Sequence, residues 1–304
     1  MGLNGVMAAF VLPQPGLFAL GTPIQTFLEL DLLDPALETA HVLQTVQEMV
    51  GGVKTGQGCN VSVGIRPSLW RKVRPDACPD DVDDYDEAVV GDDGFSMPAT
   101  QHDLVVWIAG GRQDSVFDEG ERALTSLAGI ARLAHENKGW NYHGNVDLTG
   151  FIDGTENPSI AEAASICLVP ADEKGAGSSV LLLQEWRHDL AAWVGAGVEV
   201  QERAIGRTKS DNVELDPKPA GAHNARTDQD TVGKILRKNI PIGGVSDPGT
   251  LFIGLAAKQQ TLQVMLERMA GQNGEPRDDL TRYTTANTGA YYVLPAAEAL
   301  TSPA

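Results

Sequence analysis

One rhythm, strand–helix–strand stated twice, constrains this chain more than any other feature. Phe27-Leu28-Glu29-Leu30-Asp31-Leu32 alternates apolar and polar side chains with the period of two that a half-buried strand requires. Asp34 then offers an N-cap and Pro35 a first-turn residue. The helix they start places Leu37, Leu43, Val46 and Val50 on roughly one face and stops at Gly51-Gly52. Cys59–Ile65 alternates again, Leu104–Ile108 is a continuous apolar run, and an amphipathic helix is expected from about 115 to 130. The second half answers with a strand at Val180–Leu183, a helical stretch from about 189 to 203, a strand at Thr250–Leu255, a helix over Gln259–Met269 and a strand at Ala290–Leu294. This order predicts a duplicated α+β fold with antiparallel sheets faced by helices.

Composition narrows the partners. No run approaches the roughly 18 apolar residues of a membrane span. The start, with no Lys or Arg before its short apolar run, reads as no secretory leader, and Val6 stands where a myristoylation site needs Ser or Thr. A cytoplasmic protein is expected. Cys59, Cys78 and Cys167 are odd in number and scattered, so no disulfide framework is expected. With 23 basic and 41 acidic residues, a net of −18, the surface repels nucleic acid and anionic lipid. No nucleic-acid or membrane partner is expected.

Several motifs are missing. There is no H-E-x-x-H, no G-x-S-x-G, no P-loop and no G-x-G-x-x-G, which removes the support for zinc hydrolases, serine hydrolases and nucleotide enzymes. C-x-x-C-H is also absent, so any haem is held without thioether bonds. Residues 76–93 carry nine acids but lack EF-hand spacing, and read as a solvated acidic loop.

The segment Gly150-Phe151-Ile152-Asp153-Gly154-Thr155-Glu156-Asn157-Pro158 stands apart: it surrounds one acid with small and apolar residues that let backbone approach a flat partner. It resembles the G-F-x-D-G-T-x-N-P signature of the dye-decolorizing peroxidases, in their compact bacterial (B/P-type) subgroup. Further resemblances follow in order: Ile205-Gly206-Arg207-Thr208-Lys209, Gly221-Ala222-His223, Ile235-Leu236-Arg237-Lys238-Asn239-Ile240-Pro241, Thr250–Gly254 and Thr288–Tyr292. The resemblance is dense over residues 148–295.

What it implies is specific. The fold is expected to be two ferredoxin-like units of dimeric α+β barrel type, 1–145 and 146–304, the second holding one non-covalent haem b. His223 is the expected axial ligand of the haem iron. Asp278 is the expected acceptor for its other N–H, with Asp279 leaving that register open by one residue. A peroxidase also needs a base to carry a proton between the peroxide oxygens and a cation for the charge that develops as the O–O bond stretches. Asp153 suits the first task and Arg237 the second, with Asn239 orienting peroxide. Arg207 is expected on a propionate, and Gly154 and Phe252 against the cofactor. Glu156 is left between the pocket mouth and a metal ion, and Lys238 departs from the family as an extra cation beside Arg237. The other five histidines are expected to be structural or exposed.

The implied activity is reduction of H2O2 through a ferryl intermediate, with dyes, phenols or similar small aromatic reductants as one-electron donors. Trp and Tyr residues are candidates for relaying electrons to the surface. A homo-oligomer is expected. Docking into encapsulin shells is not, because the sequence stops at Ala304 without the targeting tail of some members. Two rivals stand beside this: a protein that stores, transfers or opens haem with only incidental peroxidase activity, and a cofactor-free scaffold. The negative surface gives a first prediction: turnover of an anionic dye should rise as pH is lowered from about 7 to about 4 and surface carboxylates are protonated. A flat pH profile would contradict it.

Overall fold

The computed structural model describes residues 11–19, 21–34, 39–50 and 58–301. Eleven strands are found among them: β1 Ile24–Leu32, β2 Cys59–Ile65, β3 Val89–Val90, β4 Ser96–Met97, β5 Leu104–Gly110, β6 Ala131–Trp140, β7 Ser179–His188, β8 Leu236–Gly244, β9 Asp247–Ala256, β10 Thr284–Ala286 and β11 Ala290–Leu294.

The first unit pairs in the order β2-β5-β1-β6 and the second in the order β11-β7-β9-β8. Counted within each unit, both read 4-1-3-2 from one end, the order of a ferredoxin-like sheet, and every pairing is antiparallel. Single bridges join the units at both seams: Gly139 faces Ile242 where β6 meets β8, and Val293 faces Ile65 where β11 meets β2. Each seam thus sets the fourth strand of one unit beside the second strand of the other. Eight strands close into a barrel, which removes the long free edges that two separate sheets would expose.

Side-chain alternation fills the two sides differently. Inside, Phe27 stacks on Trp107 at 5.3 Å between centroids, packed with Val105, Leu181, Leu183, Ile253 and Tyr292. One end of this interior is polar. Tyr292 donates to the buried Glu29 at 2.7 Å, and His135 and Arg187 hold Glu185, whose pKa falls to about 2. Outside the first unit, helices Thr39–Val50 and Gln113–Leu127 cover the sheet with Val42, Val46, Val116 and Leu127. Outside the second, helix Gln259–Ala270 lies on the sheet, while the β7–β8 crossover breaks into short helices at Leu190–Ala196, Val198–Ile205, His223–Arg226 and Gln229–Val232.

Several expectations need correction. The helical stretch 189–203 is two helices, interrupted at Gly197, whose φ of +80° lies outside the helical range. The helix expected to reach residue 130 stops at Leu127, and the polar strand β6 follows. The proposed start of the first helix at Pro35 and its stop at Gly51-Gly52 lie outside the described residues. The 76–93 segment keeps most of its acids in solvent, as expected of an acidic loop, but it is also anchored to the body of the protein. Cys78, Val82 and Tyr85 are buried, Asp84 accepts from the Ser68 N–H, and Asp92 and Asp93 reach Gly274 and Arg277. Among the described residues no helix is long and apolar enough to cross a membrane.

The β6–β8 seam is tight because Gly139 has no side chain: a Cβ there would sit 2.1 Å from Ile240 Cγ2. Gly139→Val should therefore destabilise the protein by about 1–3 kcal/mol through overpacking, read as a lowered calorimetric Tm. An unchanged Tm would mean that the seam does not bear on stability.

Candidate active site

The stand-off crossover leaves the outer face of β7, β8 and β9 partly uncovered, and a pocket of about 1260 Å3, mouth included, occupies that space. Its sheet wall is Leu182, Gln184, Trp186 and His188 of β7, Arg237 and Asn239 of β8, and Thr250 and Phe252 of β9. Opposite stand Leu262, Met265, Leu266 and Met269 of helix Gln259–Ala270, and loop residues 147–156 close one end. Every lining residue lies at or beyond Asp147.

His223 opens the short helix His223–Arg226, which Arg268 fixes from below by donating to the Ala225 and Arg226 carbonyls at 2.9 and 3.0 Å. Its Nδ1 lies 2.6 Å from Asp278 Oδ2. Asp278 has no exposed surface, and its other oxygen accepts from the Leu280 N–H at 2.9 Å. Asp279 pairs with Arg282 instead, so the geometry selects Asp278 from the two adjacent acids. An imidazole whose Nδ1–H is fixed on a buried carboxylate presents Nε2 as a lone-pair donor, the arrangement metal-binding histidines use.

A second cluster gathers at the edge of β8. Because β6 bridges β8 only at Ile242, the backbone at Arg237–Asn239 lacks a neighbouring strand on that side, and side chains of the 145–157 loop take its place. Asn157 accepts from the Arg237 N–H at 2.9 Å and donates to its carbonyl at 2.8 Å. Asp153, itself 4% exposed, accepts from the Asn239 N–H at 2.9 Å and from Asn239 Nδ2 at 3.0 Å. Lys238 Nζ lies 3.4 Å from the same carboxylate. Two hydrogen bonds and one ion pair on a group with about four acceptor positions leave acceptor capacity for a ligand. Gly154, at φ +73°, turns the chain under this contact, where a Cβ would meet Asn157 Nδ2 at 2.6 Å. Behind the loop, Trp193 donates to the Thr149 carbonyl at 2.9 Å and packs edge-on against Phe151.

All eight residues singled out from the sequence meet here: seven line the pocket, and Asp278 stands directly behind His223. Arg207 is paired with Glu156 at the wall. Among the described residues, no group of three or more His, Cys, Asp and Glu could hold a metal ion. Other lining residues escaped the sequence reading. Gln184, Trp186 and His188 follow one another at the strand period on β7, which had been expected to end at Leu183. His188, expected to be structural or exposed, faces the pocket and sits 2.7 Å from Thr250 Oγ1.

The walls also suit a large group with both apolar and polar parts. Arg237 Nε, Gln184 Nε2, Gln229 Nε2 and Asn224 Oδ1 are buried without a partner, all on pocket-lining residues. Unsatisfied polar atoms are costly in a closed core and are expected where a polar ligand completes the structure.

A family model described as the C-terminal part of Dyp-type peroxidase matches residues 144–299. A dye-decolorizing peroxidase of Mycolicibacterium paratuberculosis is 35% identical over 96% of this chain and 86% of its own length. DyPB of Rhodococcus jostii superposes with a TM-score of 0.86 at 30% identity, covering 95% of this chain and 97% of that one. A variant of that DypB in complex with heme gives a TM-score of 0.85 at 30% identity, covering 92% and 95%. This chain belongs to the dye-decolorizing peroxidase family.

His188 yields a pH prediction. Burial, aided by the neighbouring Arg187, pushes its pKa from 6.5 down to about 4. The unfolded chain therefore binds a proton that the folded one refuses. Its contribution to stability is complete above about pH 6.5 and is lost as pH falls toward about 4. His188→Gln should lose less stability than the parent across that window in urea titrations; parallel curves would contradict this.

Proposed function

We propose that this peroxidase carries one non-covalent haem b in the pocket of its second unit and reduces H2O2 at the expense of dyes, phenols or similar small aromatic donors. The observation that carries the reading is His223, held 2.6 Å from a fully buried carboxylate and facing a pocket whose wall bears the unpartnered Arg237 Nε. The bound haem supplies the redox-active iron at which the peroxide bond is broken.

The remaining work belongs to the chain. His223 would hold the iron through Nε2, with Asp278 keeping the proton on Nδ1 and raising the basicity of the ring. Asp153 uses its remaining acceptor position to take a proton from one peroxide oxygen and return it to the other. Arg237 is the fixed cation for the charge that develops as the O–O bond stretches. Asn239, tied to Asp153, orients the peroxide. Arg207, paired with Glu156 in the pocket wall, would turn its guanidinium fork to a propionate. Gly154 and Phe252 line the pocket and would pack against the macrocycle.

The reading assigns 146–304 as the haem-binding unit and 1–145 as its scaffold, in line with the pocket-lining residues all lying at or beyond Asp147. It also places the enzyme in the cytoplasm as a homo-oligomer. The three cysteines, all free thiols, are compatible with a reducing compartment.

The test is spectroscopic and kinetic. His223→Ala should lose the Soret band of the purified protein or shift it to an abnormal form. Arg237→Leu should keep the band yet react with H2O2 on the order of 10²–10³ times more slowly in stopped flow. Asp153→Asn should also be slowed. A full-rate Arg237→Leu enzyme contradicts the charge-stabilising role, and a normal spectrum in His223→Ala contradicts the ligand.

A further inference from the structure

Lys238 lies between two pocket residues on β8 but is not itself part of the pocket lining. Strand alternation turns its stem to the opposite side of the sheet from Arg237 and Asn239. Its ammonium nonetheless ends at the strand edge, 3.4 Å from Asp153 Oδ2 and 3.1 Å from Asn145 Oδ1, with only 12% of the side chain exposed. A lysine this enclosed is seldom left unpaired. Here the partner is the one carboxylate that the reading above places beside the peroxide.

The other ionisable groups around the pocket complete the charge balance. Glu156 is paired with Arg207, while the Asp278 carboxylate accepts from His223 Nδ1 on the side assigned to the iron ligand rather than to the peroxide. His188 is neutral near pH 7, and burial pushes the Asp147 carboxyl toward its neutral form. Asp153 is matched by Lys238. Arg237 is left: its Nε is buried without a hydrogen-bond partner, and no ion pair with a carboxylate is found for it among the described residues. Without Lys238 the Asp153 and Arg237 charges would cancel. With it, the peroxide side carries an excess of one positive charge.

We propose that Lys238 is a specificity-determining residue that makes the peroxide side of the pocket selective for anions, by neutralising Asp153 from behind and leaving the Arg237 charge uncompensated. The ligands so favoured are small monoanions, azide and fluoride among them, over neutral ligands of similar reach. The inference rests on the haem assignment above. It concerns ligand charge only, since Lys238 touches neither peroxide nor cofactor.

The experiment is a spectrophotometric titration of the haem-loaded ferric protein with azide, with fluoride and with neutral imidazole, in the parent, Lys238→Met and Lys238→Arg. In Lys238→Met the two anions should bind about tenfold more weakly, the scale of one unit charge roughly 10 Å away at an effective dielectric of about 20. Imidazole affinity should change less than twofold, and Lys238→Arg should retain the parent's anion affinities. Unchanged anion affinity in Lys238→Met overturns the proposal. So does a proportional loss for imidazole, which would mark a disturbed pocket rather than a lost charge. If Lys238→Met does not fold, Lys238→Gln serves the same comparison. Failure of the underlying reading is separately visible: the parent would then show no Soret band before any ligand is added.

Discussion

The site depends on one incompletely paired strand edge. β6 reaches β8 only at Gly139 and Ile242, so the backbone at Arg237 and Asn239 must find partners elsewhere. The 145–157 loop supplies them through side chains rather than main chain: Asn157 grips Arg237 from both sides and Asp153 accepts the Asn239 N–H. Satisfying the edge in this way fixes a carboxylate, an amide and a guanidinium within one short stretch of strand. The hydrogen bonds that complete the fold thus also position the proposed peroxide-handling groups.

The pocket follows from unequal use of the same plan. Two units share strand order, and each seam joins corresponding strands. In the first unit two helices cover the outer sheet face with apolar side chains. In the second, one crossover is broken into short helices that stand away from the sheet, and the gap is bounded by Arg237, Asn239 and Gln184 on one side and by Met265 and Met269 on the other. The polar atoms left without partners there, Arg237 Nε and Gln184 Nε2 among them, would be defects in a filled core.

The sequence revealed what local patterns encode. β2 and β11 were legible to the residue, because both alternate or run apolar against a buried face. β6 was not: its inward positions are His135, Asn137 and Gly139, which serve a polar barrel end and a tight seam, so apolar alternation is missing. β7 was cut short for a related reason. Gln184 and His188 face the pocket and Trp186 lies both in its wall and in the apolar core, and polar residues in a strand's pocket-facing half look like a strand's end. The signature around Asp153 and the histidine at 223 were readable because their residue types are dictated by chemistry. That Asp278 and not Asp279 backs His223, and that Lys238 binds Asp153 instead of crowding Arg237, required the third dimension. So did the role of the acidic segment, whose Asp92 and Asp93 bind the stretch leading to Asp278.

On the proposed assignment, the imidazole backed by Asp278 would bind the iron, and the Arg237–Asp153–Asn239 group would face the other side of the same porphyrin. A crystal structure of the haem-loaded protein tests it most directly. The account predicts His223 Nε2 coordinated to iron, with the Arg237 guanidinium and Asp153 carboxylate across the ring plane. A porphyrin bound through any other side chain, or one with Arg237 and His223 on the same side, would contradict it.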